Sequence, residues 1–152
     1  MNAKILELYD GLDSIGVRVE FCDLPADRDG EYLHDERLIR IQHDLLFRRY
    51  VSTLAHEACH AAFGDTPSMF GPLNAKQERR ADEWAAMRLI DPHDYRVEEA
   101  RHEGHIEAMA IALHVTTDLV DAFRRVLVRI GKDVYVAPKM GAGQWAHRIG
   151  VA

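Results

Sequence analysis

The sequence predicts a single α+β domain with a small antiparallel sheet, and three observations lead to this fold class. The chain has 152 residues, a usual length for one domain and enough to bury a core. Two segments near the N-terminus, 17–24 and 36–44, alternate apolar and polar residues as half-buried strands do. From residue 45 onward the apolar residues recur at helical spacing instead. Apart from one N-terminal helix, we therefore expect strands first and helices afterwards.

The N-terminal part divides into regular elements and a turn. Apolar residues at helical spacing predict a helix at 3–14, and the β-branched and aromatic residues of 17–24 predict a strand. The segment PADRDG at 25–30 has turn chemistry, and 36–44 then alternates isoleucines with polar residues as a second strand. Because a turn-rich link joins the two strands, we expect them to pair in antiparallel fashion.

Helical periodicity dominates the rest of the chain, with glycine and proline marking the ends. Gly64 is expected to cap the first of these helices, and Gly104 to break the third. After the helices, DVYVA predicts a short strand ahead of a loose, glycine-rich end. We expect one domain over 1–152, with a core at about 1–92, a helical C-terminal part at about 97–130 and a tail at 131–152. The helices are predicted at 45–63, 75–90, 97–114 and 115–130, with a two-proline loop at 65–74.

Composition argues against several function classes. The net charge of −6 opposes a nucleic-acid-binding surface, because phosphate binding needs a concentrated excess of lysine and arginine. Cys22 and Cys59 form no metal-type pair, and the lack of a disulfide framework suits a reducing cytosol. The first residues lack the apolar centre of an export signal, and no apolar run approaches the roughly 18 residues that span a bilayer. We therefore expect a cytoplasmic protein without membrane or direct nucleic-acid partners.

The segment HEACH at 56–60 has the H-E-x-x-H pattern of a zinc-binding helix. An α-helix turns by about 100° per residue, so His56 and His60 point the same way and can share one metal ion. Glu57 lies about 100° round from His56, too far for an equal ligand but near enough to reach a water at the metal. A metal-assisted hydrolase requires this geometry, with histidines that hold Zn²⁺ and a carboxylate that takes the proton of the water.

A catalytic zinc site needs a third protein ligand and one open position. Glu78 and Asp82 are also one helical turn apart, on the helix that follows across the two-proline loop. We predict that Glu78 is the third ligand. We predict that Asp82 accepts the free ring N–H of a ligand histidine and thereby fixes its tautomer and orientation. This combination is much more specific than HEACH alone.

Structural explanations compete with each of these assignments. The two histidines of HEACH could be core residues satisfied by backbone carbonyls, and Glu78 could be a surface acid paired with a neighbouring base. Glu83 is the competing third ligand, but it turns about 140° from Glu78, so both cannot face one metal ion. Asp82 could instead be an ordinary acid on the helix surface. Cys59 is better explained as a small buried hydrophobe than as a ligand.

Two further motifs carry less weight. HEGH at 102–105 would place its histidines about 300° apart on a helix, and Gly104 weakens the helix there. We interpret this motif as surface, with His105 a minor candidate for contacting the transition state. The stretch 106–129 resembles a helix-turn-helix, but acids near the start of its second helix oppose DNA contact. A helical hairpin packed on the core is the better interpretation.

The segments STLAHEACHAAFGD and ERRADEWAAMRLIDP together resemble the ImmA/IrrE-type metallopeptidase family. Its members carry a helix with H-E-x-x-H and then a helix of the form E-x-x-A-D/N-x-F/W-A-A-x-x-L, with a proline just beyond. The strand LIRIQ ahead of the first helix is similar too, so the resemblance covers roughly residues 36–92. The positions on or close to the pattern are Glu78, Ala81, Asp82, Trp84, Ala85, Ala86, Leu89 and Pro92.

The resemblance implies a zincin-like fold and a cytoplasmic zinc endopeptidase, of a kind often encoded by phages or mobile elements. The substrates that it implies are repressors or other DNA-binding regulators. Many members have Leu-Gly where this chain has Ala58 and Cys59, and an acid is frequent at the position of Arg80. Neither departure falls on a predicted ligand. The first concerns packing around the helix, and the second the surface that a substrate would meet.

The leading hypothesis is a zinc endopeptidase in which His56, His60 and Glu78 bind Zn²⁺ and Glu57 is the general base. The strand at 37–42 is expected to pair with an extended substrate backbone, as edge strands do. One rival hypothesis is a catalytically silent zinc-binding regulator that acts by binding a repressor. Another is a DNA-binding accessory protein that uses the 106–129 hairpin. Glu57 favours catalysis over the first rival, because a protein that only binds needs no base beside the metal. The negative net charge disfavours the second.

Overall fold

A computed structural model describes residues 1–130 and 133–136 of the chain. The helices and strands in this part confirm the α+β fold class. None of the described helices combines the length and the apolar character that crossing a membrane requires. In chain order the elements are α1 (Asn2–Ser14), β1 (Arg18–Cys22), β2 (Gly30–Leu33), β3 (Leu38–Gln42), α2 (Phe47–Phe63), α3 (Gly71–Leu89), α4 (Pro92–Arg101), α5 (Ile106–Leu113), α6 (Thr117–Val126), β4 (Leu127–Ile130) and β5 (Asp133–Val136).

The main sheet has three strands in the order β1, β3, β2. β3 pairs with β2 antiparallel, with Leu38 opposite Leu33, and it pairs with β1 in parallel. The prediction that the segments 17–24 and 36–44 pair in antiparallel fashion is therefore wrong. The cause is β2, which the alternation pattern does not reveal. Because β2 lies between the two segments, the chain reverses direction twice before β3, and β1 and β3 run the same way.

The core lies between the sheet and the helices that follow it. Ile39 and Ile41 of β3 are fully buried, as the predicted alternation requires, and so is Leu54 of α2. Burying each such side chain contributes about 1.5–3 kcal/mol. α2 packs against the sheet and against α3, so its position is fixed from two sides. Both helices carry small buried side chains that permit a close approach, namely Ala55, Ala58 and Ala61 on α2 and Ala81, Ala85 and Ala86 on α3.

α2 and α3 correspond to the predicted helices at 45–63 and 75–90 but differ at their starts. α2 ends at Gly64, whose φ of 64° is left-handed, and this confirms the glycine cap. α3 begins at Gly71, ahead of the predicted start, because Pro72 lies in the first turn. A proline is tolerated there, since the N–H groups of the first turn have no partner within the helix.

The C-terminal helices are shorter than predicted. The helix expected at 97–114 begins already at Pro92 and breaks near Gly104 into α4 and α5, which confirms the predicted break. α6 ends at Val126 because the next residues, Leu127–Ile130, form β4 and pair with β5. The β-branched residues in LVRI favour this strand. β5 confirms the strand predicted at DVYVA, and the glycine-rich end lies outside the described residues.

The hairpin of α5 and α6 packs on the rest of the helices, in agreement with the interpretation of 106–129 as a helical hairpin. α6 packs against α3, and its residues Val120 and Phe123 are fully buried. The backbone N–H of Thr116 donates a hydrogen bond of 3.0 Å to the Ser52 hydroxyl of α2. This contact holds the start of α6 beside the helix that carries HEACH.

Candidate metal centre

Helices α2 and α3 bring the three predicted ligands together. His56 and His60 lie one turn apart on α2, with their Nε2 atoms 3.1 Å from each other. The Glu78 carboxylate of α3 reaches both rings, since Oε2 lies 3.1 Å from Nε2 of His56 and Oε1 lies 3.2 Å from Nε2 of His60. The ligand atoms all lie within 4.8 Å of one another and could hold a metal ion.

The second nitrogen of each imidazole contacts a carboxylate. Nδ1 of His56 lies 2.8 Å from Oδ1 of Asp82, and Nδ1 of His60 lies 2.9 Å from Oδ2 of Asp65. An ionised carboxylate can only accept a hydrogen bond, so each Nδ1 carries a proton and donates it. When the two imidazoles are neutral, Nε2 of each ring therefore carries a lone pair and faces the Glu78 carboxylate.

This set of donor atoms fits zinc. Tetrahedral coordination at about 2.0–2.1 Å separates ligand atoms by about 3.3 Å. The distances between the three residues, 3.1 to 3.2 Å, are close to this value. Two imidazoles and one carboxylate are a ligand set found in catalytic zinc sites, which keep a fourth position open. Three lone pairs at such distances repel one another unless a metal ion or a proton lies between them.

The surroundings of the two histidines favour positive charge. Burial lowers the pKa of His56, but hydrogen bonds to Asp82 and Glu78 outweigh it and raise the pKa to about 10. The pKa of His60 is also raised, because hydrogen bonds to Glu78 and Asp65 outweigh the effect of burial. Contacts with the two imidazoles hold the pKa of Glu78 below its usual range. Carboxylates that favour a protonated imidazole in this way also favour a metal cation between the rings.

Glu57 lies next to this cluster and is buried, with only 7% of the residue exposed. Burial raises the pKa of its carboxyl, whereas nearby His56 and His60 lower it. Gly30 of β2 lies against the same side chain. A Cβ at Gly30 would fall 3.1 Å from Cγ of Glu57 and 2.5 Å from Cγ2 of Thr53. A larger residue would push β2 away from α2, so glycine keeps the sheet edge beside Glu57.

Two clefts adjoin the cluster, and both are lined by His56, Glu57 and Glu78. The larger, of about 460 Å³, is also lined by β2 and by the loop after α2. The smaller, of about 380 Å³, is also lined by residues of α2 and by the start of α6. A peptide chain that follows β2 would therefore pass the predicted ligands and the predicted base.

β2 is the edge strand beside the cluster. The expectation that the strand at 37–42 pairs with a substrate is wrong, because β3 is central and both of its sides are occupied. β2 lies at the edge of the sheet and lines the larger cleft. Its four residues, GEYL, follow directly on turn residues, and so short a segment gives no clear alternation in the sequence.

The residues that competed with the predicted ligands have contacts of other kinds in the structure. Glu83 is buried and accepts a hydrogen bond of 3.2 Å from Nε of Arg125, so it is not part of the histidine cluster. Cys59 is fully buried, as expected of a small hydrophobe, and burial raises the pKa of its thiol to about 12. His105 caps α5 through Nδ1, which accepts from the N–H of Ala108. The rings of HEACH bond to carboxylates, and this contradicts the explanation by backbone carbonyls.

Asp65 is the residue of this cluster that the sequence analysis misses. It follows directly on Gly64, whose left-handed backbone turns the chain back toward α2. The backbone N–H of Asp65 donates to the carbonyl of His60 at 2.9 Å, and its carboxylate accepts from Nδ1 of the same residue. A carboxylate just beyond a glycine cap, five residues after the predicted ligand His60, is the signal that could have revealed it.

Comparison with known proteins bears on the same residues. The family model of the IrrE N-terminal-like domain, within peptidase family M78, matches residues 12–123 and so includes the whole cluster. Comparisons with curated proteins and with solved structures give no significant match. The resemblance to ImmA/IrrE-type proteins is confirmed by the family model. Because the match covers well over half of the sequence, this chain belongs to the peptidase M78 family of IrrE N-terminal-like domains.

Proposed function

We propose that this protein is a zinc-dependent endopeptidase that hydrolyses a peptide bond in a regulatory protein, namely a repressor or another DNA-binding regulator. Membership of the M78 family supports a metallopeptidase-like domain. One observation carries the proposed reaction. The buried Glu57 lies beside the cluster of His56, His60 and Glu78, in a cleft that the edge strand β2 borders.

The chain provides a residue for each task of such a site. When bound, zinc would polarise the scissile carbonyl and acidify a water molecule. His56, His60 and Glu78 would hold the ion, and Asp82 would keep the proton of His56 on Nδ1 so that Nε2 stays free. The Glu57 carboxylate would accept a proton from the attacking water and return it to the nitrogen of the leaving amine.

Burial suits Glu57 to this role. A general base works best when its pKa lies near the operating pH, and an exposed glutamate, at about 4.3, is too weak a base. Burial raises the pKa of Glu57, and the neighbouring histidines limit the rise. The carboxylate is thus a better base than an exposed one, yet it can still release the proton to the leaving group.

β2 supports a peptide as the substrate. An edge strand has unpaired backbone N–H and C=O groups, and an extended peptide can add to it as a further strand. Because β2 lines the larger cleft, a peptide on it would run past Glu57 and the predicted ligands. The cleft supports an extended peptide in general. The choice of a repressor or DNA-binding regulator rests on the family resemblance.

The test is Glu57→Gln, which keeps the shape of the side chain but removes its capacity to accept the proton. General-base catalysis is typically worth about 10²–10⁴-fold, so cleavage should nearly vanish while zinc content and folding stay close to wild type. The assay is co-expression with repressors from the same genetic element, with fragments detected by mass spectrometry. Glu83→Gln is the matched control, since it changes a buried glutamate outside the histidine cluster.

Two results would contradict the proposal. If the wild-type protein cleaves none of the repressors, yet wild type and Glu57→Gln relieve repression equally, the protein is a zinc-binding regulator that acts by binding. If Glu57→Gln cleaves as fast as wild type, Glu57 is not the base. Direct binding of the protein to DNA, with relief of repression that needs no cleavage, would favour the accessory-protein hypothesis.

A further inference from the structure

Arg80 lies on α3 between the predicted ligand Glu78 and Asp82, and it has a contact of its own with the loop after α2. Its guanidinium donates to Oδ2 of Asp65 in an ion pair. The same guanidinium lies over the ring of Phe63, 4.0 Å from the ring centroid. Only 20% of the Arg80 side chain is exposed, so the pair is shielded from solvent.

Asp65 connects this arginine to a predicted ligand. Its Oδ2 atom accepts both from Arg80 and from Nδ1 of His60, the latter at 2.9 Å. The Asp65 side chain is 8% exposed, and charge-assisted hydrogen bonds are strong in such a setting. His60, Asp65 and Arg80 thus form a continuous chain of contacts from α2 through the cap loop to α3.

We propose that Asp65 and Arg80 are positioning residues of the metal centre, in which Arg80 holds Asp65 and Asp65 orients His60. The proposal rests on the metal site of the proposed function. Asp65 keeps the proton on Nδ1 and fixes the ring plane, so that Nε2 faces Glu78. Arg80 fixes the carboxylate and balances its charge. Because Arg80 and Glu78 both lie on α3, this one helix positions the predicted ligand Glu78 and also the arginine that acts on a second predicted ligand, His60.

The contacts of Arg80 also revise the expectation that this position meets the substrate. Arg80 does not line either of the two described clefts at the cluster, and its guanidinium is engaged by Asp65. Its charge acts on Cys59 as well, where it opposes the effect of burial on the thiol pKa. Cys59 and Arg80, two of the positions at which this chain departs from the family pattern, are therefore neighbours. Arg80 needs a carboxylate partner, and the cap loop of this chain provides Asp65.

The experiment measures zinc affinity of the full chain by competition with a chelator. Asp65→Ala should weaken zinc binding by roughly 10–100-fold, the usual effect of losing a carboxylate behind a ligand histidine. Asp65→Asn should weaken it less, because the amide oxygen still accepts from Nδ1. Arg80→Met keeps an unbranched side chain but removes the guanidinium, which contacts Asp65 and the Phe63 ring, and it should cause a smaller loss. In the Asp65→Ala background, Arg80→Met should cause no further loss, because Arg80 acts through Asp65.

Glu83→Gln is the control for a general weakening of α3. Like Asp65, Glu83 is an acid whose side chain is largely buried and paired with arginine, but it does not contact a histidine of the cluster. Zinc affinity unchanged in Asp65→Ala, or reduced as much in Glu83→Gln, would overturn the proposal and leave the proposed function intact. An equal loss from Arg80→Met with and without Asp65 would overturn the role of Arg80. A wild-type protein that binds no zinc would refute the proposed function itself, and this proposal with it.

Discussion

The segments HEACH at 56–60 and HEGH at 102–105 each contain two histidines and a glutamate, in different surroundings. HEACH lies within the continuous helix α2, where both imidazoles face the Glu78 carboxylate of α3. Its rings stand at 74° to each other with centroids 4.8 Å apart. Every imidazole nitrogen of this segment has an ionisable partner within 3.2 Å.

HEGH spans the break between α4 and α5. Glu103 and Gly104 both have positive φ, 51° and 74°, so the helix ends there and the two histidines belong to different helix ends. His102 faces Glu98 of its own helix at 3.2 Å, and His105 caps α5. Each histidine thus has a local partner.

The comparison shows that residue types alone do not make a site. In HEACH the spacing of four keeps the two side chains on one face, and a second helix contributes the predicted third ligand, Glu78, and the carboxylate of Asp82 beside His56. In HEGH the spacing of three and the glycine separate the side chains. If function follows this difference in geometry, substitutions in the two segments should have very different effects.

The largest effect is expected from removing a histidine of HEACH. His56→Ala or His60→Ala leaves two ligands, so bound zinc should fall from about one ion per chain to nearly none. His102→Ala and His105→Ala should keep the full zinc content. Metal analysis of the purified proteins, after dialysis against metal-free buffer, measures the difference. Zinc retained in full by both HEACH variants would exclude the three-ligand site.

A smaller effect is expected from the carboxylate behind His56. Asp82→Ala should weaken zinc affinity by roughly 10–100-fold without removing the metal entirely, because the ligands remain but one ring loses its orientation. Asp118→Ala is the matched control, since Asp118 lines the smaller cleft but has no hydrogen bond to a histidine among the described contacts. Chelator competition gives both affinities. Equal affinity in the two variants would return Asp82 to the class of ordinary surface acids.

The sequence predicts the helices of this fold better than its sheet. α2 is long and has a glycine cap, and these local signals locate it closely. β2 has four residues and no local signal, and the direction in which β1 pairs with β3 depends on it. The end of α6 is mispredicted for the same reason, because β4 forms by pairing with β5. The features that the sequence predicts wrongly, the pairing direction of β1 and the end of α6, are decided by contacts between segments. The periodicity within one segment gives no information about such contacts.

The residues at the candidate site also divide into those that local sequence patterns predict and those that they do not. His56, Glu57 and His60 follow from helix geometry alone, and the spacing of Glu78 and Asp82 places both on one face of the next helix. The structure brings these residues together, and their catalytic and ligand roles stay predictions. Asp65 escapes local analysis because its position depends on the left-handed turn at Gly64. Arg80, likewise, reaches His60 only through that turn.

The smallest expected effect concerns His105, which the sequence makes a minor candidate for contacting the transition state. In the structure, Nδ1 of His105 accepts from the N–H of Ala108 at 3.4 Å, a long cap hydrogen bond. His105→Ala should therefore lower the free energy of unfolding by only about 0.5 kcal/mol, the low end for a lost N-cap. Asp91→Ala should cost about 1 kcal/mol, because Asp91 caps α4 with a shorter bond of 2.8 Å to the N–H of His93. Urea unfolding gives both values, and peptide cleavage should be unchanged in His105→Ala. A large loss of cleavage with little loss of stability would instead place His105 in the reaction, and the contrast between HEACH and HEGH would then fail.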